Sequence, residues 1–372
     1  MSWTELASLA AVLLVVYPYV VYPLMLALVP GGRPLRGKAE PRVSVLLSAY
    51  NEEGVIDEKI RNFFSLEYHG QRELVIMSDG STDRTFEIAA KYSGPQVKVM
   101  RQARAGKTAA LNRMAKEATG ELLVFTDANT IFSKDALIKL AEPFSDPAVG
   151  VVTGSTVPLG HGNGEGAFYR FERFLKAKES ALGIIAGADG AIYAMRKELY
   201  TPLDSRDIND LYHPIAASLA GYRSCFIDGA FGYESGDNSM AAEYARQKRM
   251  AGQAAALLFR QVPKLASKGR FVNIWVLLSH KVSRWFHLPA LLTLLALALA
   301  SSGLNILAFP VLAYLGLAAA GAAASVAKTR LPVLSLAWAF FVVHAAYFHG
   351  LLGCFRSERY VVWNPRGGMA GK

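Results

Sequence analysis

Arg42-Val43-Ser44-Val45-Leu46-Leu47-Ser48-Ala49-Tyr50-Asn51-Glu52-Glu53 is the stretch on which the fold turns. The apolar run is nearly continuous, and Ile56, Ile60 and Phe63 then repeat at helical spacing. A buried strand feeding a helix has this pattern. The unit recurs. Glu73–Met77 ends in Ser78-Asp79-Gly80-Ser81-Thr82-Asp83, followed by a helix over Thr85–Tyr92 capped by Ser or Thr, and Glu121–Thr126 ends in Asp127-Ala128-Asn129. Strands separated by helices imply a parallel sheet, whose ligands bind at the carboxyl ends of the strands. One acidic turn is most simply a capping Asp. Three in series point to a ligand, and neither a P-loop nor G-x-G-x-x-G is present to bind phosphate in the usual glycine-rich way.

Outward from this core, composition divides the chain. Of its 372 residues 52% are hydrophobic and 19% charged, with net charge +10; soluble domains carry about 25% charge. Leu6–Val29 is an uncharged run long enough to cross a bilayer. Lacking a basic start and a small-residue cleavage site, it reads as a retained anchor. Leu288–Ala300, Leu304–Ala327 and Leu331–Cys354 supply three more apolar stretches. The expected organisation is therefore a transmembrane helix in residues 1–30, an α/β domain in 31–270, an amphipathic interface helix in 271–286, about three transmembrane helices in 287–355 and a polar tail in 356–372. A core helix of the α/β domain fits 271–286 equally well. Arg33, Arg36 and Lys38 place the domain in the cytoplasm by the positive-inside rule. Three further crossings then put the tail outside, against its Arg356, Arg359, Arg366 and Lys372. Either one stretch dips in without crossing, or the tail is an exception. The positive charge suits lipid head groups and an anionic substrate, and no nucleic-acid module is visible. Cys225 and Cys354 are far apart, which excludes a disulfide scaffold or a zinc module.

Four blocks in order carry a resemblance: Ser48-Ala49-Tyr50-Asn51-Glu52-Glu53, Ser78-Asp79-Gly80-Ser81-Thr82-Asp83, Gly106-Lys107-Thr108-Ala109-Ala110-Leu111-Asn112 and Thr126-Asp127-Ala128-Asn129. Together they resemble membrane-bound family 2 glycosyltransferases of GT-A fold, similar to bacterial synthases of cellulose, hyaluronan, chitin and poly-N-acetylglucosamine. The resemblance implies an α/β fold with a mostly parallel sheet plus transmembrane helices. It also implies donor contacts from Tyr50, Glu52 and Asp79 to base and ribose and from Lys107 to the diphosphate. Asp127 stands first in the family's D-x-D, contacting donor and metal. Asn129 replaces the second acid, keeping a carbonyl oxygen for Mg²⁺ or Mn²⁺ but losing a charge.

In the second half, Gly187-Ala188-Asp189-Gly190-Ala191 lets a backbone pass close to a sugar, and the family places its acceptor loop there; the residues alone fit a plain glycine turn as well. Measured back from Gly221, Asp210 falls at the family's catalytic base, with Asn209 in the place of the preceding acid. Inverting transfer needs one carboxylate to take the acceptor hydroxyl's proton. Asp210 is also compatible with a helix N-cap, and Asp207 is the reserve candidate. Arg246 and Arg249 share a helix face, as a solvated helix would also arrange them, and match the family's Q/R-x-x-R-W as further donor contacts. Met250 replaces the Trp of that motif.

These readings converge on an inverting hexosyltransferase using a nucleoside-diphosphate sugar, a UDP-sugar by preference, and a divalent cation at Asp127 and Asn129. It extends an extracellular polysaccharide, with Asp189 and Gly190 on the acceptor side. Single addition to a lipid or lipid-linked acceptor is the alternative, favoured by Met250, as is a synthase with a small membrane partner subunit. A silent nucleotide-sugar-binding subunit is the third reading, motivated by Asn129, Asn209 and Met250.

Overall fold

The computed structural model describes residues 3–30, 37, 40–159, 165–234, 239–300, 305–327, 329 and 331–356. Arg33, Arg36, Lys38 and the tail beyond Arg356 lie outside the described residues.

Eight strands form one sheet. In chain order they are β1 Val43–Ala49, β2 Arg72–Asp79, β3 Val97–Gln102, β4 Leu122–Thr126, β5 Thr130–Phe132, β6 Val149–Pro158, β7 Ile192–Arg196 and β8 Arg223–Glu234. Their order across the sheet is β3-β2-β1-β4-β7-β6-β8-β5. The first four are parallel, with Val45 opposite both Leu74 and Val124. β7 then runs antiparallel to β4 and β6, and β5 antiparallel to β8, so the sheet is mixed. The continuous apolar runs of β1 and β4 follow from burial on both faces: Leu46, Leu47, Leu123 and Val124 are each at most 1% exposed. β3 gave no apolar run because this edge strand, Val97-Lys98-Val99-Met100-Arg101-Gln102, alternates with charge and only Val97 is buried. The helix after β2 covers Thr85–Ala90 and is preceded by Arg84, while Asp83 Oδ1 accepts from Thr85 N at 3.0 Å; Asp, not Ser or Thr, ties its start.

The β1 and β2 turns are stitched together. Asn51, the described non-glycine residue with positive φ (54°), accepts from Thr82 N at 2.8 Å, and Thr85 Oγ1 accepts from Glu52 N at 2.8 Å. Asn tolerates the left-handed region that this turn requires.

Among the described residues, Trp3–Leu28, Ile306–Val326 and Pro332–Phe355 are long and apolar enough to cross a membrane. Phe271–Trp285 and His287–Ala300, bent by 57°, would add a fourth if taken as one broken span. Both Tyr17–Val21 and Leu278–Val282 are π-helical, and they meet through Tyr17 Oη and Ser279 Oγ at 2.7 Å.

His280 and Arg284 of the 271–285 segment turn into the α/β domain. His280 lies between two carboxylates on the helix Glu165–Ala181, with Nδ1 2.5 Å from Glu179 and Nε2 3.1 Å from Glu172. Arg284 donates to Glu172 at 2.7 Å, and Tyr22 of the first apolar helix donates to Glu179 at 2.7 Å. Burial works against ionised Glu172, but Arg284 and His280 outweigh it and hold its carboxyl well below the usual range. Glu179 is fully buried and also accepts from Ala186 N at 3.1 Å, so one carboxylate joins two membrane-proximal elements to the loop before Gly187. Glu179→Ala is expected to cost about 3–5 kcal/mol, since it strands buried His280 and Tyr22. A thermal-unfolding midpoint in detergent equal to wild type would contradict this anchoring role.

Candidate active site

The β1, β2 and β4 strand ends converge, as a parallel arrangement requires, and Tyr50, Glu52, Asp79 and Asp127 lie at or just after them, with Lys107 paired to Asp127. Asp79 is fully buried, and its two oxygens accept from Gln102 Nε2 at 2.8 Å, Arg104 Nη1 at 2.6 Å, Ala105 N at 2.9 Å and Gly106 N at 2.8 Å. It therefore fixes the loop that leads to Lys107. Gly106, at φ +92°, makes the turn into the helix Lys107–Glu117. The Arg104 guanidinium lies 3.5 Å from the Tyr50 ring centroid, giving a flat cationic wall beside Asp79. Glu52 is half-buried, its backbone held by Thr85.

Lys107 Nζ is 2.5 Å from Asp127 Oδ1, and both side chains are about a third exposed. Asn129 Nδ2 donates to Glu234 at 2.8 Å, so its amide oxygen sits on the side away from that carboxylate. Burial, followed by the negative charges of Asp127 and Asp189, pushes the Glu234 carboxyl up despite that bond and Arg246. Among the described residues no group of three or more His, Cys, Asp or Glu is gathered as a metal cage. A cation here would rest on Asp127, the Asn129 amide oxygen and oxygens brought by a ligand.

Two residues that escaped the sequence reading belong to this region. Lys59 is buried in the first helix after β1, donating to Thr126 Oγ1 at 2.8 Å and to the Thr130 carbonyl, on either side of the Asp127-Ala128-Asn129 turn. Burial pushes its amine down to about 7, with Asp127 opposing. Glu234, at the end of β8, is the other. A lysine within a helical repeat and a glutamate ending a strand carry no sequence signal of their own; only the sheet order puts them near Asp127.

The acceptor half closes the opposite side. The helix Asn209–Leu219 begins after Ile208, so Asp210 lies in its first turn and is not the N-cap. Asn209 Nδ2 donates to the Tyr193 hydroxyl at 2.7 Å, which is 2.9 Å from His213 Nδ1, and Tyr193 stacks on Phe125 with centroids 4.4 Å apart. Asn209 is thus a clamp between helix and β7, next to Asp210 in the chain. Burial pushes the Asp210 carboxyl up, while Lys281 and Lys107 counter it, Asp189 adds to the rise and the Leu211 amide opposes it. Asp207 is buried in an ion pair with Arg260 at 2.5 Å and accepts from Asp204 N at 3.0 Å, which engages both its oxygens in the fold.

Asp189 accepts from Thr156 N at 2.8 Å and Thr156 Oγ1 at 2.6 Å, holding its loop on β6. The glycines on either side leave room for neighbours: a Cβ on Gly190 would lie 3.1 Å from Asp210 Oδ2, and one on Gly187 3.2 Å from Lys281 Nζ. On the helix Met240–Ser267, Arg246 forks onto Glu243 at 2.9 and 3.0 Å. The Arg249 guanidinium is held below its usual range by burial and by Arg246, against the pull of Asp210 and Asp127. The structure thus brings Lys107, Asp127, Asp210 and Arg249 to one region; Asp79, Asp189 and Arg246 are engaged by internal partners at its edge.

Residues 44–201 match the family described as Glycosyl transferase family 2. The chain is similar to a poly-beta-1,6-N-acetyl-D-glucosamine synthase of Staphylococcus aureus (strain MSSA476), with 28% identity over 193 residues, 49% of this chain and 47% of that protein. It is also similar to the beta-monoglucosyldiacylglycerol synthase of Nostoc sp. (strain PCC 7120 / SAG 25.82 / UTEX 2576), 38% identical over 120 residues, 30% of this chain and 25% of that protein. The match thus spans about half the length of the first relative and a quarter of the second. Among solved structures, the mannosyltransferase PcManGT from Pyrobaculum calidifontis in complex with GDP-Man and Mn²⁺ covers 96% of this chain and 100% of its own, with TM-score 0.70 and 22% identity. That likeness extends the fold agreement across the helices long and apolar enough to cross a membrane. Residues 44–201 thus match glycosyltransferase family 2, and the fold is GT-A-like.

Proposed function

We propose that the chain is an inverting, membrane-bound hexosyltransferase that takes a sugar from a nucleoside diphosphate, a UDP-sugar by preference, and adds it to a growing polysaccharide. What supports this reading is the Lys107–Asp127 pair at 2.5 Å together with a buried Asp210 whose carboxyl is within electrostatic reach of Lys107, and an Arg249 within reach of both Asp210 and Asp127. Tyr50, Glu52 and Asp79 shape the base and ribose side, Lys107 and Arg249 balance the diphosphate, and Asp189 and Gly190 form the acceptor loop. Arg246, one helical turn away and forked onto Glu243, adds a second positive charge on the donor side. A bound divalent cation, carried by Asp127 and Asn129, would offset charge on the departing diphosphate. Asp210 accepts the acceptor hydroxyl's proton as that oxygen bonds to the anomeric carbon. The carbon–oxygen bond to the diphosphate breaks, and its electron pair leaves with the diphosphate. A single in-line displacement inverts the anomeric centre.

The α/β domain sits on the cytoplasmic side in this reading. His287–Ala300 has 14 residues, about 21 Å at the helical rise and short of a hydrocarbon core of about 30 Å. Three crossings, by Trp3–Leu28, Ile306–Val326 and Pro332–Phe355, then bring Arg356 to the cytoplasmic side. A second reading, single addition to a lipid, draws on the likeness to the Nostoc enzyme and on Met250. The test is purified full-length protein in lipid with radiolabelled UDP- and GDP-sugars and Mn²⁺ or Mg²⁺. High-mass water-soluble product supports the polymer, and organic-soluble product bearing one sugar supports the lipid acceptor. Donor bound with no product formed would overturn both.

A further inference from the structure

We propose that Lys281, delivered by the membrane-proximal helix, is a positioning residue of the transfer reaction: its ammonium fills the space left by Gly187 and sets a positive charge beside the helix start that carries Asp210. The proposal rests on Asp210 being the base.

Three observations place it there. First, the Gly187–Gly190 loop is fitted to both side chains. A Cβ on Gly187 would come within 3.2 Å of Lys281 Cε and Nζ and 3.8 Å of the Asp210 carbonyl oxygen, and one on Gly190 within 3.1 Å of Asp210 Oδ2. The Ala188 amide between them donates to that same Asp210 carbonyl at 2.8 Å. Loop, helix start and lysine therefore form one unit. Second, Lys281 lies in the π-helical turn Leu278–Val282, whose wider winding moves successive side chains off the α-helical spacing. Such turns are frequent at functional sites. Third, its neighbours on the segment are anchored on carboxylates, His280 on Glu172 and Glu179 and Arg284 on Glu172, whereas Lys281 forms no ion pair within 4 Å among the described residues. The anchors fix the segment's rotation and leave the lysine facing the Asp210 region.

The charged and titratable groups facing Asp210 are Lys281 from this segment, Lys107 from the helix after β3, Asp189 from the acceptor loop, Arg249 from the helix Met240–Ser267 and Tyr193 from β7. Burial raises the Asp210 carboxyl, and Lys281 is the largest opposing charge. Removing it favours the protonated acid. Because the base works only when ionised, the loss falls on the acid side and closes as pH rises.

The experiment is full-length Lys281→Met in lipid, assayed against pH with whichever donor supports turnover in the wild-type panel. The acid limb of kcat is expected to move up by about one pH unit, a roughly tenfold deficit at low pH that shrinks at high pH, with donor KM within about twofold of wild type. Lys281→Arg should restore most of the profile. Gly187→Val, which evicts the ammonium while keeping the lysine, should move the limb the same way, and covers the case in which Lys281→Met does not fold. A superimposable profile in Lys281→Met or Gly187→Val would overturn the proposal, as would a loss equal at every pH and not rescued by Arg. Turnover retained in Asp210→Asn would overturn the base assignment instead. An inactive Asp210→Asn beside an unmoved Lys281→Met profile would remove Lys281 alone.

Discussion

Asp210→Asn is expected to reduce transfer by about three orders of magnitude while leaving nucleotide binding within a few-fold of wild type. The amide is nearly isosteric with the carboxylate, and Asp210 accepts no side-chain hydrogen bond among those described, so the helix Asn209–Leu219 keeps its clamp through Asn209 and Tyr193. What is lost is the proton acceptor, an effect of about 10²–10⁴ in rate for general base catalysis, here without a neighbouring carboxylate placed to substitute. Asp207 is tied to Arg260, and Asp189 to Thr156. The residual activity should also lose its acid limb, because the group whose pKa burial has raised is no longer there. UDP and GDP binding, followed by calorimetry, separates loss of chemistry from loss of donor. Turnover at the wild-type rate removes Asp210 from the mechanism.

Asp127→Asn should act on the other half of the reaction. Asp127 is the carboxylate of the proposed cation site, and Lys107 is bound to it at 2.5 Å. Neutralising it weakens a cation held by few protein ligands, so kcat/KM is expected to fall at least a hundredfold, about 2.7 kcal/mol of transition-state stabilisation. The diagnostic is binding of UDP or GDP with and without Mn²⁺. In the wild type Mn²⁺ should tighten it. In Asp127→Asn that dependence should vanish, while metal-free affinity holds or improves because Lys107 is released toward the phosphates. Undiminished Mn²⁺ dependence in the variant would place the cation elsewhere.

What could be read from the chain itself was whatever depends on neighbours in sequence. β1, β2 and β4 were visible because burial on both faces demands uninterrupted apolar residues, and their polar ends were visible because each follows directly. Bilayer thickness likewise writes itself into long uncharged runs such as Pro332–Phe355. Edge strand β3 was missed because its outer residues face water and alternate with charge. Nor could composition show that the sheet turns antiparallel at β7, since strand direction is fixed by where connections cross rather than by residue type.

Tertiary structure alone decided which acids are occupied. Asp79, Asp189 and Asp207 each have the residue type of a ligand-binding group, yet their oxygens meet backbone amides, Thr156 and Arg260. It also brought Lys59, Glu234 and Lys281 to the site from a helix interior, a strand end and a membrane-proximal segment. A carboxylate's role depends on the charges and donors within a few ångströms, and those come from residues as far as 157 positions away, as for Tyr22 and Glu179. Local sequence sets the shape of each element; only their packing sets the field in which the side chains work.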